Sequence, residues 1–146
     1  MTFRRLTSCC CVNNDSLQAQ HFCQFRRYGI ENFLETHFIV GVTMYIFGFS
    51  VNLHSDGILR NLRMPGESGY KIPRGGLFDL VSGAHYLGEI VEWTGYAIAS
   101  NSLPGYAFAI YTASNLIPRA VSHHRWYQEH FKDYPMERQA VIPFLW

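Results

Sequence analysis

Two long stretches of the chain carry no Asp, Glu, Lys or Arg. The first runs for 20 residues between Glu35 and Asp56, and the second for 26 residues between Glu92 and Arg119. About 20 mostly apolar residues are enough to cross a bilayer as a helix. The turn-forming sequence NSLPG at 101–105 divides the second stretch. The pattern therefore predicts three membrane-spanning helices, at about 36–54, about 81–100 and about 104–122.

A soluble helical bundle is the alternative interpretation of the same pattern. It would have to bury seven large aromatic side chains in a small core: Phe38, Tyr45, Phe47, Phe49, Tyr106, Phe108 and Tyr111. Only 16% of the residues are charged, whereas about a quarter is usual in soluble domains. We therefore predict an all-α, integral membrane helical bundle. The net charge of +1 gives no support for binding nucleic acid.

The first 35 residues differ in character from the rest. They are mostly polar and contain all four cysteines, three of them adjacent at 9–11 and the fourth at Cys23. This spacing matches neither a zinc site nor a disulfide framework, and no apolar run of a secretory signal follows the early arginines. We expect a poorly ordered segment at 1–35 and a membrane domain at 36–146.

The distribution of positive charge predicts the orientation of the helices. The segment 55–79 and the tail after the third span both contain cations, whereas the turn at 101–105 has none. Cytosolic loops carry an excess of Lys and Arg, so we place the long loop and the C-terminal tail in the cytosol. Arg26 and Arg27 would then lie on the lumenal side, against the same rule. The cations that set this orientation are Arg60, Arg63, Lys71, Arg74, Arg119, Arg125, Lys132 and Arg138.

Each predicted helix carries a polar stripe near the same membrane depth. Ionisable side chains in a membrane are costly unless they face a cavity or a partner, so they are candidates for function. Structural pairing of Glu89 or Glu92 with Arg119 is the alternative. The stripes, each at a spacing of four residues, are Asn52 with Asp56, His85 with Glu89, and Arg119 with His123 and Tyr127.

The loop between the first two helices adds cations beside a glycine step. Arg63, Lys71 and Arg74 precede Gly75-Gly76, a combination that suits phosphate groups. An anionic, partly aromatic dinucleotide fits these residues better than a metal does. Adjacent histidines on a helix point about 100° apart, so the pair at 123–124 is not a metal site. GYKIPRGG is not a dinucleotide-binding GxGxxG fingerprint, and no strand precedes it.

Several motifs together resemble the steroid 5-alpha-reductases, also called the 3-oxo-5-alpha-steroid 4-dehydrogenases. They are NLHSD, YKIPRGGLF, GEIVEW and an ending that runs from YP to IPF, all in the expected order. The resemblance covers about residues 38–146 and corresponds to the C-terminal half of the family. The first 35 residues do not resemble the helices that precede that half.

The resemblance implies a multi-helix membrane enzyme, usually of the endoplasmic reticulum, that uses NADPH to reduce the 4,5 double bond of 3-oxo-4-ene steroids. It implies that this chain has part of the reductase fold and most of the NADPH site. A Tyr and a Glu of the N-terminal half polarise the 3-oxo group in the family, so no catalytic residue is assigned here. The implied cofactor-binding residues are Asn52, Asp56, Arg63, Tyr70, Lys71, His85, Glu89, Arg119, His123 and Tyr127.

Two of these positions depart from the family pattern, and the two glutamates of the second helix have different expected roles. Lys71 stands where some members have Arg, which keeps the charge but loses the bidentate fork. His85 stands where an Asn is expected and can still donate a hydrogen bond. Glu89 is expected to face the cofactor, whereas Glu92, roughly 60° further round the helix, is expected to brace neighbouring helices.

We therefore predict a membrane NADPH-dependent oxidoreductase of steroid metabolism, present as a C-terminal fragment, with a steroid-like substrate and membrane lipid as partners. Activity of the 146 residues alone is not expected, because the polarising acid is a large part of such catalysis. The alternatives are another enoyl or polyprenol reductase of the superfamily, a prenylcysteine-type membrane methyltransferase that uses S-adenosylmethionine, and a non-catalytic fragment that associates with other membrane helices.

Overall fold

A computed structural model of the protein describes residues 35–62 and 70–142. They form three α-helices, α1 (Thr36–Asn61), α2 (Ala84–Ser100) and α3 (Leu103–His130), with a short 3-10 helix at Gly76–Asp79 before α2. Within these two ranges the structure has no named strand, and one isolated parallel bridge joins Val81 to Gln139. The prediction of an all-α bundle of three helices is confirmed.

Two of the helices are longer than predicted. The first span was expected to end at about 54 and the third at about 122, but α1 continues to Asn61 and α3 to His130. The added residues at the ends of α1 and α3 are mostly polar. The end of an apolar run therefore marks where a helix leaves the hydrocarbon of the membrane, while the helix itself continues beyond that point. The turn at 101–105 is shorter than expected, because α3 already begins at Leu103.

α1 is the most strongly membrane-like element of the part that the structure describes. There it is the one helix long and apolar enough to cross a bilayer. α2, with 17 residues, is shorter than the roughly 20 that a straight span needs. Ile46, Phe47 and Leu53 are each more than half exposed along α1. A soluble core helix would bury such side chains, so this surface agrees with contact to lipid.

Glycines bring the backbones of α1 and α2 into contact. Gly41 and Gly48 lie seven residues apart on α1, and Gly88 and Gly95 lie seven residues apart on α2. A Cβ at Gly41 would lie 2.6 Å from the carbonyl oxygen of Gly95, and one at Gly88 would lie 2.7 Å from the backbone nitrogen of Asn52. Small residues at such crossings are typical of helix pairs in membranes.

α2 and α3 form a tight helical hairpin. Asn101 takes the left-handed conformation at the C-terminus of α2, with φ of 43°. The Ser102 side chain caps α3 by accepting a hydrogen bond from the Gly105 backbone nitrogen at 3.2 Å. Because the connection is so short, the two helices are antiparallel neighbours, and Tyr86 packs with Leu116 in their shared core.

The C-terminal tail returns to the segment that precedes α2. The Gln139 nitrogen donates to the Leu80 carbonyl at 3.0 Å, the Ser82 nitrogen to the Gln139 carbonyl at 2.8 Å, and the Gly83 nitrogen to the Ala140 carbonyl at 3.0 Å. The tail thus adds a strand-like pairing to a helical protein. It fixes the position of the chain at the start of α2, beside the site described next.

Candidate functional site

A cleft of about 340 Å³ lies where the C-terminal end of α1, the loop before α2 and the C-terminal half of α3 meet. This volume is at the lower end of the roughly 300–1,000 Å³ that is typical of ligand sites. Its walls are formed by Leu59, Arg60, Leu62, Tyr70, Lys71, Pro73, Phe78, Ser82, His85, His123 and Tyr127.

Five of the ten predicted cofactor-binding residues line this cleft: Tyr70, Lys71, His85, His123 and Tyr127. They come from three separate segments, so the tertiary fold brings them together. The Tyr70 ring lies 4.8 Å from that of Trp126, and the Tyr127 ring is stacked parallel to that of Tyr134 at 5.6 Å. The cleft therefore combines cationic and hydrogen-bonding side chains with aromatic walls.

His85 presents an unsatisfied polar atom at this site. Its Nδ1 is buried and has no hydrogen-bond partner among the described residues. The imidazole lies 3.8 Å from the Tyr86 ring and 6.1 Å from the Phe78 ring, measured between centroids. Buried polar atoms are normally paired, so this nitrogen is suited to a polar group of a bound molecule.

A second polar group lies next to the cleft and contains three further predicted residues. The Arg119 guanidinium lies close to the Tyr86 hydroxyl and to the Glu89 carboxylate. Asp56 acts on both Glu89 and His85 through its charge, and its carboxylate pairs with Arg60 at 3.0 Å. Asp56, Glu89 and Arg119 are not among the side chains that line the cleft. They form a charged network beside His85 and His123, which do line the cleft.

The two glutamates of α2 have different surroundings. Glu92 is only 8% exposed, and its carboxylate lies beside the polar side chains of Asn52 and Tyr45 on α1. This contact agrees with the expectation that Glu92 braces neighbouring helices. Glu89 is partly exposed, and its carboxylate lies beside the Trp93 indole. Asn52, predicted to bind the cofactor, therefore contacts Glu92 and does not line the cleft.

Arg63, the remaining predicted cofactor-binding residue, lies outside the described residues, as do all four cysteines. Among the residues that the structure describes, no group of three or more His, Cys, Asp or Glu side chains could hold a metal ion.

A buried cluster behind the cleft was missed by the sequence analysis. His124 Nδ1 lies 2.6 Å from Ser82 Oγ, and the Ser82 hydroxyl is also hydrogen-bonded to the Tyr134 hydroxyl. His124 lies beyond the third span, which was predicted to end at about 122, and burial lowers the pKa of its imidazole. The neutral ring is therefore the form that suits this cluster.

Arg138 is a second residue that the sequence analysis left unassigned to the site. Its side chain is 4% exposed and lies over the Tyr134 ring, 5.6 Å from the centroid. Its Nη1 donates to the Pro73 carbonyl at 2.9 Å. Arg138 had been considered only as a cytosolic charge, and nothing local in the sequence distinguishes a buried arginine in a polar tail.

The chain is similar to known proteins in its sequence. A sequence profile described as 3-oxo-5-alpha-steroid 4-dehydrogenase matches residues 3–146, and so begins within the first 35 residues. The chain is 50% identical to 3-oxo-5-alpha-steroid 4-dehydrogenase 1 of Bos taurus over 135 residues, which are 92% of this chain and 52% of the relative. The corresponding human protein is 47% identical over 92% of this chain and 52% of its own length. 3-oxo-5-alpha-steroid 4-dehydrogenase 2 of Rattus norvegicus is 50% identical over 92% and 53%. The chain thus spans about half the length of these relatives.

Proposed function

The chain belongs to the 3-oxo-5-alpha-steroid 4-dehydrogenase family, and on that premise we propose that its cleft binds NADPH for the reduction of the 4,5 double bond of a 3-oxo-4-ene steroid. Membership of the family supports the proposal of an oxidoreductase of steroid metabolism. The apolar surface of α1 agrees with a membrane protein. The cofactor, the substrate and the part played by this chain are our proposal.

The observation that carries the proposal is the convergence of five predicted residues on one cleft that contains an unsatisfied buried nitrogen. Lys71 supplies a cation for phosphate groups, and Arg63 in the same loop would add another. Tyr70 and Tyr127 offer aromatic surfaces, and His85 Nδ1 offers a hydrogen bond to an amide or hydroxyl. These residues fit a dinucleotide. When NADPH is bound, its dihydronicotinamide supplies the hydride for the reduction.

The charged network beside the cleft has a separate part in this proposal. Arg119 lies close to the Tyr86 hydroxyl and to Glu89, and the Tyr86 ring contacts that of His85. We expect this network to orient the bound nucleotide and to exclude water from the part of the cleft around His85. We expect the acid that polarises the steroid's 3-oxo group to come from the half of the family's fold that these 146 residues do not resemble.

The proposal includes a location and an orientation. We expect the protein in the endoplasmic reticulum membrane, with the loop around Lys71 and the tail after His130 on the cytosolic side. The positive charges of these two segments support that orientation. The cleft would then open to the compartment from which a soluble nucleotide can enter.

Nucleotide binding to the purified chain in lipid nanodiscs tests the proposal. Trp126 packs against Tyr70 at the cleft, so energy transfer from tryptophan to NADPH reports occupancy. We expect saturable binding of NADPH, weaker binding of NADH and no competition by S-adenosylmethionine. Saturable binding of S-adenosylmethionine without NADPH binding would favour the methyltransferase alternative instead.

A matched pair of lysine variants tests whether the cleft is the site. Lys71→Ala removes the cation at the cleft and should weaken NADPH binding about 10- to 100-fold, because hydrogen bonds to charged groups contribute about 1.5–3 kcal/mol. Lys132→Ala removes an exposed lysine of the tail that does not line the cleft, and should leave binding unchanged. Equal effects of the two substitutions would contradict the assignment. We expect neither protein to reduce a 4-ene-3-one by itself.

A further inference from the structure

Three side chains from separate parts of the chain meet behind the cleft, and we call them the latch: Ser82, His124 and Tyr134. Ser82 precedes α2, His124 lies in the last turns of α3, and Tyr134 belongs to the tail. Ser82 is 5% exposed and Tyr134 is 5% exposed. Besides its hydrogen bonds with His124 and Tyr134, the Ser82 hydroxyl donates to the Gln139 carbonyl at 3.2 Å. The latch therefore ties α3, the start of α2 and the tail to one hydroxyl group.

The hydrogen bonds of the latch define which nitrogen of His124 carries the proton. The Gln128 side-chain nitrogen lies 2.8 Å from His124 Nε2, and an amide nitrogen can only donate. Nε2 is therefore the acceptor, and Nδ1 carries the proton and donates it to Ser82 Oγ. Ser82 can then donate to the Gln139 carbonyl while the Tyr134 hydroxyl donates to Ser82. In this arrangement every donor of the latch has an acceptor.

The latch and the cleft share a residue and lie on neighbouring faces of α3. Ser82 lines the cleft as well as joining the latch. His123 lines the cleft, whereas its neighbour His124 is directed into the latch, which agrees with the 100° between successive residues of a helix. Ser82 is also only three residues before His85. A shift at Ser82 would therefore move the unsatisfied His85 nitrogen.

We propose that His124 is a positioning residue for the cleft, acting through the hydrogen bond from its Nδ1 to Ser82 Oγ. His124 holds the segment before α2 against α3, and this holds Ser82 and His85 in the geometry that a nucleotide requires. This inference rests on the proposed NADPH function of the same cleft. Its assay therefore needs one measurement that depends on the nucleotide and one that does not.

Two conservative substitutions separate the two nitrogens of His124. The amide of Asn can place a donor near the Nδ1 position, so His124→Asn can keep the bond to Ser82 and lose the one to Gln128. Gln reaches towards the Nε2 position, so His124→Gln loses the bond to Ser82. Both variants are uncharged, and Gln is the better helix former of the two, so helix propensity alone would favour His124→Gln. If His124 only filled space, His124→Gln would not bind NADPH more weakly than His124→Asn.

The experiment measures NADPH affinity and backbone hydrogen exchange in nanodiscs for the wild type and both variants. We expect His124→Gln to weaken NADPH binding about three- to tenfold and to speed exchange at the Ser82 and Gly83 amides, which bond to the tail. We expect His124→Asn to stay within about twofold of the wild type in both measurements.

Three outcomes would overturn the inference: two variants that behave like the wild type, two variants that are weakened equally, or a His124→Asn variant that is the weaker of the two. Failure of the wild-type chain to bind NADPH would refute the proposed function instead. The exchange measurement would then still decide whether the Nδ1 bond holds the latch.

Discussion

The contact between α1 and α2 at Gly48 gives the sharpest prediction about stability. A Cβ added there would collide with the backbone nitrogen of Glu92 and would lie 2.7 Å from the Gly88 carbonyl oxygen and 2.8 Å from the Glu92 Cα. These are backbone atoms of another helix, so no flexible side chain can turn aside. The Gly48→Ala protein must therefore move α1 away from α2.

The magnitude follows from two costs and one gain. Overpacking a well-packed contact costs about 1–3 kcal/mol. Separation of the helices would also move the buried Glu92 carboxylate away from the Asn52 and Tyr45 side chains, and a buried polar group left without its polar neighbours costs about 1–3 kcal/mol more. The gain in helix propensity from Gly to Ala returns at most about 1 kcal/mol. We expect the free energy of unfolding to fall by about 1–5 kcal/mol.

The assay is reversible unfolding in mixed micelles with increasing mole fraction of SDS, followed by tryptophan fluorescence. Gly57→Ala is the matched control, because it lies on the same helix and a Cβ there meets nothing within 4 Å. That variant should be unchanged or more stable by up to about 1 kcal/mol. If Gly48→Ala were as stable as Gly57→Ala, the close approach of α1 and α2 would be refuted.

Three further predictions concern single contacts. Ser102→Ala should lower the free energy of unfolding by about 1 kcal/mol in the same micelle assay, because the Gly105 nitrogen loses its cap; an unchanged value would mean that the cap is unimportant. Arg138→Met should cost about 1–3 kcal/mol, since it leaves the Pro73 carbonyl without its donor, and faster proteolysis of the loop before α2 would report the change. Burial lowers the pKa of His124 below its ordinary 6.5, so protonation of its imidazole favours the state in which the bond to Ser82 is broken. Hydrogen exchange at the Ser82 and Gly83 amides, corrected for intrinsic rates, should therefore be constant above about pH 6.5 and become faster as the pH falls below that value. A corrected rate that rose with increasing pH would contradict this sign.

Much of the helical architecture could be predicted from the sequence because its determinants are local. The absence of charge over two long windows and the NSLPG turn place three helices, and these features need no knowledge of distant residues. The ends of α1 and α3 were placed too early, because hydropathy reports where a helix leaves the membrane and not where its hydrogen bonds end. The glycines of the α1–α2 contact also stand in the sequence as two pairs with seven-residue spacing. Which glycine of α1 faces which glycine of α2 follows only from the way the two helices pack.

The candidate site was predicted in part for the same reason. Helical spacing aligned His85 with Glu89 on one helix, but could not determine which of them would line a cleft. The structure places His85 at the cleft and Glu89 beside it, while Glu92 takes the buried position against Asn52. A difference of three residues on one helix changes the partner helix that a side chain meets, and only the packing of all three helices decides that partner.

The sequence by itself determined three helices, their apolar character and the family to which the chain belongs, since each depends on residues that are close together along the chain or on motifs in a fixed order. Only the tertiary structure decided which side chains meet in the latch, that Arg138 is buried, and which residues line the cleft. Ser82 meets His124 across 42 residues and Tyr134 across 52, and Arg138 meets Pro73 across 65. Contacts at such separations depend on how the connecting loops close, and no local pattern of hydrophobic and polar residues encodes that closure.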